Sequence, residues 1–143
     1  MKVGKSILQG SSQVLFGNSG HAEGDATIVS ADHAHSEGWQ TSAFGSCSHT
    51  EGNKTYAKGQ KSHAEGGETS ALGFASHSEG RNTIAGAIYS HSEGANSEVL
   101  SDDNYSFVWS GKYNPHSVYY KSHGVGSFSI NPQDGTRGFW IGD

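Results

Sequence analysis

Small and polar residues alternate along most of this chain, and the whole pattern returns every fourteen residues. Between about residues 13 and 104 the unit reads Thr-x-Ala-x-Gly-x-x-Ser-His-x-Glu-Gly-x-x. Each unit holds two segments of five residues that alternate with period two, and a two-residue corner follows each terminal glycine. The pattern predicts two short strands per coil and a solenoid built from stacked coils.

One face of each predicted strand carries small residues only. In one unit these are Thr55, Ala57 and Gly59 on the first segment, and Ser62 and Ala64 on the second. Small side chains let two sheets approach closely, so we expect these positions to fill a narrow interior. The opposite face of the first segment varies from coil to coil, whereas that of the second keeps the same two residues.

Those two residues belong to the tetrapeptide His-x-Glu-Gly, which occurs six times at a spacing of fourteen. The histidine and glutamate of each copy share one face of a strand, and a pair kept through six coils indicates contact with a neighbour in every coil. We predict a ladder between coils or an interface between chains. The His column is His21, His35, His49, His63, His77 and His91, and the Glu column is Glu23, Glu37, Glu51, Glu65, Glu79 and Glu93.

From Tyr105 onward the period ends and aromatic residues become frequent. Alternation predicts strands in residues 105–109, 117–120, 127–130 and 138–141, with a turn at 131–135, so we expect a small C-terminal β-meander. The predicted division is therefore a linker or cap (1–12), a β-roll (13–104) and an aromatic-rich module (105–143). The aromatic residues predicted to contact a ligand are Trp109, Tyr119, Tyr120 and Trp140.

Composition supports a thin, self-associating fold. Of 143 residues 21 are glycine and only 32% are hydrophobic, so the chain has too few apolar side chains for a conventional core. The exact repeat favours ordering by self-association over disorder. The net charge of −5 and the nine scattered Lys and Arg residues argue against nucleic acid as a binding partner. The sequence shows neither an apolar run able to insert into a membrane nor a secretory signal pattern. The lone Cys47 excludes an intrachain disulfide.

The His and Glu columns allow several chemical interpretations. A catalytic pair needs one special constellation, but this pair recurs six times in equivalent surroundings, so we predict neither an enzyme nor a cofactor. Divalent metal binding is an alternative, and we favour a hydrogen-bonded His–Glu ladder over it. Pairing with glutamate in an assembled state would raise the pKa of the histidines. Ice binding is a minor alternative, because the predicted position of the threonines is inside the roll.

The repeat resembles the fourteen-residue repeat of YadA-like heads in trimeric autotransporter adhesins. Thr69-Ser-Ala-Leu-Gly73 and Ser76-His-Ser-Glu-Gly80 lie on the two segments of that repeat, and the resemblance covers about residues 13 to 104. It implies an all-β, left-handed parallel β-roll in which three chains associate as a homotrimer. The regular histidine and glutamate and the scarcity of valine and isoleucine differ from the adhesin pattern.

The Ser-His-Ala-Glu-Gly version of the repeat also resembles segments of bacteriophage tail-fibre and related virion proteins, as does Ile7-Leu-Gln-Gly-Ser-Ser-Gln-Val14. This resemblance implies a structural and host-attachment role in a virion appendage, with other fibre proteins and a cell-surface glycan or protein receptor as partners. The alternative is the head of an adhesin on a bacterial cell surface.

Overall fold

The computed structural model describes residues 7–111 and 119–131, which form an all-β solenoid of stacked parallel coils. Within these residues nine longer strands make one sheet and eight shorter strands make a second. Numbered in chain order, the longer strands are β1 (Ile7–Ser11), β3 (His21–Asp25), β5 (His35–Trp39), β7 (His49–Asn53), β9 (His63–Gly67), β11 (His77–Arg81), β13 (His91–Gly94), β15 (Phe107–Ser110) and β17 (Phe128–Asn131). The shorter strands are β2 (Val14–Leu15), β4 (Ile28–Val29), β6 (Ser42–Ala43), β8 (Tyr56–Ala57), β10 (Ser70–Ala71), β12 (Ile84–Ala85), β14 (Ser97–Val99) and β16 (Tyr120–Lys121). In this part of the chain no helix is long and apolar enough to cross a membrane.

Each strand pairs in parallel with the equivalent strand of the next coil. In the pairing of β7 with β9, His49 faces His63 and Gly52 faces Gly66. The shift of fourteen residues therefore brings equivalent residues side by side, and every position of the repeat becomes a column of neighbours. The predicted parallel roll is confirmed, although the segment that carries threonine and alanine contributes only two strand residues in most coils.

Small residues line the interior, as the alternation predicts. Thr41, Ala43 and Ala64 have no exposed surface, and Val29 is among the largest fully buried side chains of the described residues. Interior hydroxyl groups bond to one another, for example Ser36 and Thr41, whose side-chain oxygens are 2.7 Å apart. The threonine column is therefore buried, as the sequence predicts.

The chain turns twice per coil through residues in the left-handed region. From Ser12 to Asn96, every seventh residue has a φ between 51° and 59°, and none of these is glycine. Where a preceding coil exists, the N–H of such a residue donates to a carbonyl fifteen residues earlier; Lys54 donates to Trp39, and Lys61 to Ser46, both at 2.9 Å. These stacked corner hydrogen bonds offset a conformational cost of about 1–2 kcal/mol per residue.

The last glycine of each His-x-Glu-Gly unit is fixed by the coil above it. Gly66 has a φ of +101°, and a Cβ atom placed on it would lie 2.2 Å from the carbonyl oxygen of Gly80. From Gly24 to Gly94, a Cβ atom on each glycine of this column would lie equally close to a carbonyl oxygen of the next coil. Glycine is required here because the backbone of the next coil occupies the space of a side chain.

The C-terminal expectation differs from the structure. The strand β15 pairs in parallel with β13, and β17 pairs in parallel with β15, so among the described residues the parallel stacking continues past residue 104 as far as Asn131. The predicted meander is therefore wrong for the described residues 105–111 and 119–131, whose strands pair in parallel. Parallel backbone pairing does not depend on the identity of outward side chains, which is why aromatic residues replace His and Glu without ending the stack.

The N-terminal boundary also shifts. The strand β1 pairs with β3 in register, from Ile7 facing His21 to Ser11 facing Asp25, so residues 7–11 form an end strand of the solenoid, which is compatible with the predicted cap and not with a linker. All five residues of β1 are exposed, as expected of the last strand at the end of a stack. The predicted strand at 138–141 and residues 132–135 of the predicted turn lie outside the described residues.

Candidate functional site

Alternation along the long strands places the His and Glu columns together on the outer face of the larger sheet. In β9 the side chain of Ala64 is fully buried, while His63 and Glu65 on either side point outward and remain about one third exposed. Since the coils are in register, this face carries one continuous His column beside one continuous Glu column. The structure therefore brings together all twelve residues predicted for this face.

The imidazole rings of the His column form a stack. Successive ring centroids from His21 to His91 are 4.6 to 4.8 Å apart, and the first four pairs of rings lie within 7° of parallel. The final pair, His77 and His91, is inclined by 29°. This spacing follows the distance between neighbouring strands, about 4.8 Å, which fixes the ring separation through the backbone.

From His49 to His91, each histidine of the column lies between two glutamates. Glu79 Oε1 is 3.2 Å from His91 Nε2 on the next coil, and Glu93 Oε2 is 3.6 Å from the same nitrogen on its own coil. The equivalent distances from Glu51 to His63 and from Glu65 to His77 are 3.8 and 3.4 Å. Histidines and glutamates of neighbouring coils therefore lie close together within a single chain, while the hydrogen-bonded His–Glu ladder and contact with a second chain stay predictions.

Most of these contacts are longer than hydrogen bonds. The pair His91 and Glu79 is within hydrogen-bond distance, at 3.2 Å. By contrast, five Nε2 atoms are shielded from solvent and have no hydrogen-bond partner; they belong to His21, His35, His49, His63 and His77. A shielded polar atom without a partner is costly, so this row of nitrogens marks the face as able to accept a further ligand.

Burial controls the charge of the central histidines. It lowers the pKa of His35, His49 and His63, and the neighbouring imidazoles lower it further. In a single chain this direction is opposite to the rise expected from pairing with glutamate. Desolvation of the stacked rings outweighs the attraction of carboxylates that are more than 3 Å away and partly solvated.

The glutamates of the column interact with one another. Hydrogen bonding with Glu23 and Glu51 raises the pKa of Glu37 to about 7, and burial adds to the rise. Burial, followed by hydrogen bonding with Glu79, also raises the pKa of Glu93. Carboxylates stacked at the strand spacing therefore share protons along the column, because neighbouring negative charges favour the neutral form of some members.

A shallow groove follows the Glu column on the N-terminal half of the rod. Its lining alternates glutamate or glutamine side chains with the bare backbone of the glycine column. The lining residues are Gln9, Gly10, Glu23, Gly24, Glu37, Gly38, Glu51 and Gly52. The arrangement combines carboxylates, imidazole nitrogens and open backbone on one face, which suits binding of cations or of another polypeptide.

Aromatic residues continue the columns toward the C terminus. Phe107 packs edge-on against His91 with centroids 5.1 Å apart, and Phe128 stacks on Phe107 at 4.9 Å. The register places Trp109 directly after Glu93 in the Glu column. Sequence reasoning missed this continuation. A signal was present, because a serine stands directly before Phe107, as Ser106, and directly before His91, as Ser90.

The three described residues among those predicted to contact a ligand have different surroundings. Trp109 is half-buried on the outer face, and the hydroxyl of Tyr119 donates to Asn82 Oδ1 at 2.7 Å. Tyr120 packs against the core residues near Val99 and Val108. Trp140 lies outside the described residues. Two of these aromatic side chains therefore have structural contacts, and Trp109 remains the candidate on the outer face.

Comparison with known proteins gives no further guide to this site. No protein-family model matches the chain, and neither the curated proteins nor the solved structures contain a significant match. The class that the structure defines is a parallel β-solenoid with outward-facing His and Glu columns. The resemblance to YadA-like heads stays a prediction from the repeat.

Proposed function

We propose that this chain is a structural and adhesive segment of a homotrimeric fibre, in a phage tail fibre or a related virion appendage. The observation that supports this most is the inverted distribution of apolar side chains. Large ones lie outside, such as Phe16 at 78%, Tyr105 at 65% and Phe128 at 59% exposure, while the largest buried apolar ones are valines. Exposed apolar surface of this kind marks contact with other chains.

A thin rod also needs partners to be stable. The interior holds mainly alanine, serine, threonine and a few valines, so each coil buries little apolar area. Solenoids obtain stability from contacts between adjacent repeats, and a second source is association of whole rods. Three identical rods around one axis would bring the same columns toward that axis, and closed cyclic symmetry would make the three interfaces identical.

The His and Glu columns are the proposed contact face between chains. They repeat without change through six coils, and their shielded Nε2 atoms lack hydrogen-bond donors that a second chain can supply. Trp109 continues this face beyond the last His-x-Glu-Gly unit and is the proposed contact to a cell-surface glycan or protein. The alternative, an adhesin head on a bacterial surface, uses the same trimer and differs in its anchor.

A single charge reversal on the face tests this proposal. We expect Glu51→Lys to weaken trimerisation at least tenfold, because one lysine per chain enters the interface at the middle of the ladder. The matched control is Glu68→Lys, which changes the charge equally at an exposed corner. Sedimentation equilibrium measures the association constant, and circular dichroism verifies that both variants fold. Equal association of the two variants contradicts the proposed face.

A further inference from the structure

We propose that the His and Glu columns bind divalent transition-metal ions such as Zn²⁺ at sites each formed by three side chains of one chain. Five clusters place three ligand atoms within 4.8 Å of one another. One combines two histidines with a glutamate and is His21–Glu23–His35. The other four combine one histidine with two glutamates and are Glu37–His49–Glu51, Glu51–His63–Glu65, Glu65–His77–Glu79 and Glu79–His91–Glu93.

The spacing of the ligand atoms suits a small dication. At the site of His91, Nε2 is 3.2 Å from the Oε1 atom of Glu79 and 3.6 Å from the Oε2 atom of Glu93. Around a tetrahedral zinc ion with bonds of about 2.0–2.1 Å, neighbouring ligand atoms are about 3.3–3.4 Å apart. The two nitrogen–oxygen distances at this site therefore differ from the tetrahedral value by only a few tenths of an ångström, and water can take the remaining position.

The unpartnered nitrogens point to the same ligand. Five Nε2 atoms of the His column are shielded from solvent and make no hydrogen bond, and those of His49, His63 and His77 each lie in a cluster between two carboxylates. A metal ion bound to Nε2 satisfies the nitrogen and the carboxylates together.

The ligand set selects the class of ion. One imidazole nitrogen with two carboxylate oxygens suits zinc and its neighbours in the transition series. Calcium and magnesium prefer sites made of oxygen ligands alone, which the imidazole does not provide. We therefore expect millimolar Mg²⁺ not to displace Zn²⁺ from this face.

The sharing of glutamates limits the number of bound ions. Glu51, Glu65 and Glu79 each belong to two adjacent clusters. If no glutamate serves two ions, at most three of the five clusters fill at once, for example those centred on Glu23, His63 and His91. Two dications one strand spacing apart, about 4.8 Å, also repel each other. We expect one to three zinc ions per chain.

Tag-free protein stripped with a chelator and titrated with ZnCl₂ tests the proposal. Native mass spectrometry is expected to find one to three ions per chain, and a variant with glutamine at all six positions of the Glu column is expected to bind none. His33→Gln alters a corner histidine outside the columns and is expected to bind as the wild type does. The proposal is overturned if the wild type binds no zinc, or if the six-glutamine variant binds as much zinc as the wild type.

A second measurement needs no variant of the face. In the wild type, Zn²⁺ is expected to shift the imidazole NMR signals of the His column and leave that of His33 unchanged. Shifts confined to His33 or other histidines outside the column overturn the proposal even if the six-glutamine variant does not fold. All ligands come from one chain, so zinc binding does not rest on the proposed trimer, and an oligomeric-state measurement distinguishes failure of one from failure of the other.

Discussion

At the scale of single residues, position within the coil decides what each residue contributes. Gly66 and Gly67 are consecutive glycines in β9, yet a Cβ atom on the first would meet the backbone of the next coil, while nothing lies within 4 Å of a Cβ atom on the second. The difference arises from stacking, because the carbonyl of Gly80 occupies the side-chain space of Gly66. The two glycines therefore make a matched pair for experiment.

We expect Gly66→Ala to destabilise the protein by about 2–4 kcal/mol, the combined cost of a backbone clash and a strained φ. The control Gly67→Ala is expected to change stability by no more than about 0.5–1 kcal/mol. Chemical denaturation followed by circular dichroism measures both. Similar losses for the two variants would contradict the stacked glycine column.

The stacked histidines give a second prediction at this scale. In chelator-treated protein, NMR titration is expected to show the pKa values of His35, His49 and His63 below the ordinary value of 6.5, because the rings are desolvated and adjoin one another. The same residues in urea provide the unfolded reference. Folded-state pKa values above the unfolded ones would support charge pairing with glutamate instead.

The sign of the effect on stability follows from proton binding. Between the lowered folded pKa of these histidines and 6.5, the unfolded chain binds more protons, so their contribution to stability rises with pH across that window and falls on acidification. The raised pKa of Glu37 acts in the opposite direction: its contribution is present below 4.5 and is lost as pH rises through about 7. The pH-dependent contributions of these histidines and of Glu37 to the free energy of unfolding therefore partly cancel.

At the scale of strands and corners, alternation predicted the buried columns but not the geometry of the turns. Thr, Ala and Ser positions lie inside because a period of two is a direct consequence of strand geometry. The left-handed corners carry side chains as different as those of Lys61, Ala75, Asn82 and Tyr89, so no residue type marked them. Hydrogen bonds between coils maintain these corners, and such bonds have no signature in one repeat.

The C-terminal strands show why parallel stacking continues past residue 104, where the repeat of the sequence ends. Sequence reasoning relied on recurrence of His-x-Glu-Gly, and that pattern stops where Phe107 and Trp109 replace histidine and glutamate. The small interior position continues as Val108 and Ser129, which are buried. The inward column persisted while the outward ones changed, because only the inward side chains must fit the narrow interior.

A disulfide engineered between β13 and β15 tests this continuation. In a Cys47→Ser background, His91→Cys with Phe107→Cys is expected to cross-link on mild oxidation, since partners on adjacent parallel strands are about 5 Å apart and disulfides span about 4.4–6.8 Å between Cα atoms. The control, His77→Cys with Phe107→Cys, spans two strand spacings, about 10 Å, and is expected to stay reduced. Mass spectrometry of proteolytic peptides measures both, and an uncrosslinked first pair contradicts parallel pairing here.

At the scale of the whole molecule, the protein is a stack whose shape comes from backbone pairing and whose interactions come from its surface. Sequence predicted the parallel roll and the outward His and Glu columns, since both follow from an exact repeat. It did not predict the direction of the histidine pKa shifts, which depends on the burial of stacked rings. Association between chains likewise depends on complementary surfaces that one repeat unit does not encode.

The central claim is that the outward columns and exposed apolar residues serve association of this rod with copies of itself. Sedimentation equilibrium of the wild-type chain tests it most directly. For a chain of 15.1 kDa, a homotrimer has three times that mass, about 45 kDa. We predict that mass at micromolar concentration, and a stable folded species of 15.1 kDa across the concentration range would contradict the account.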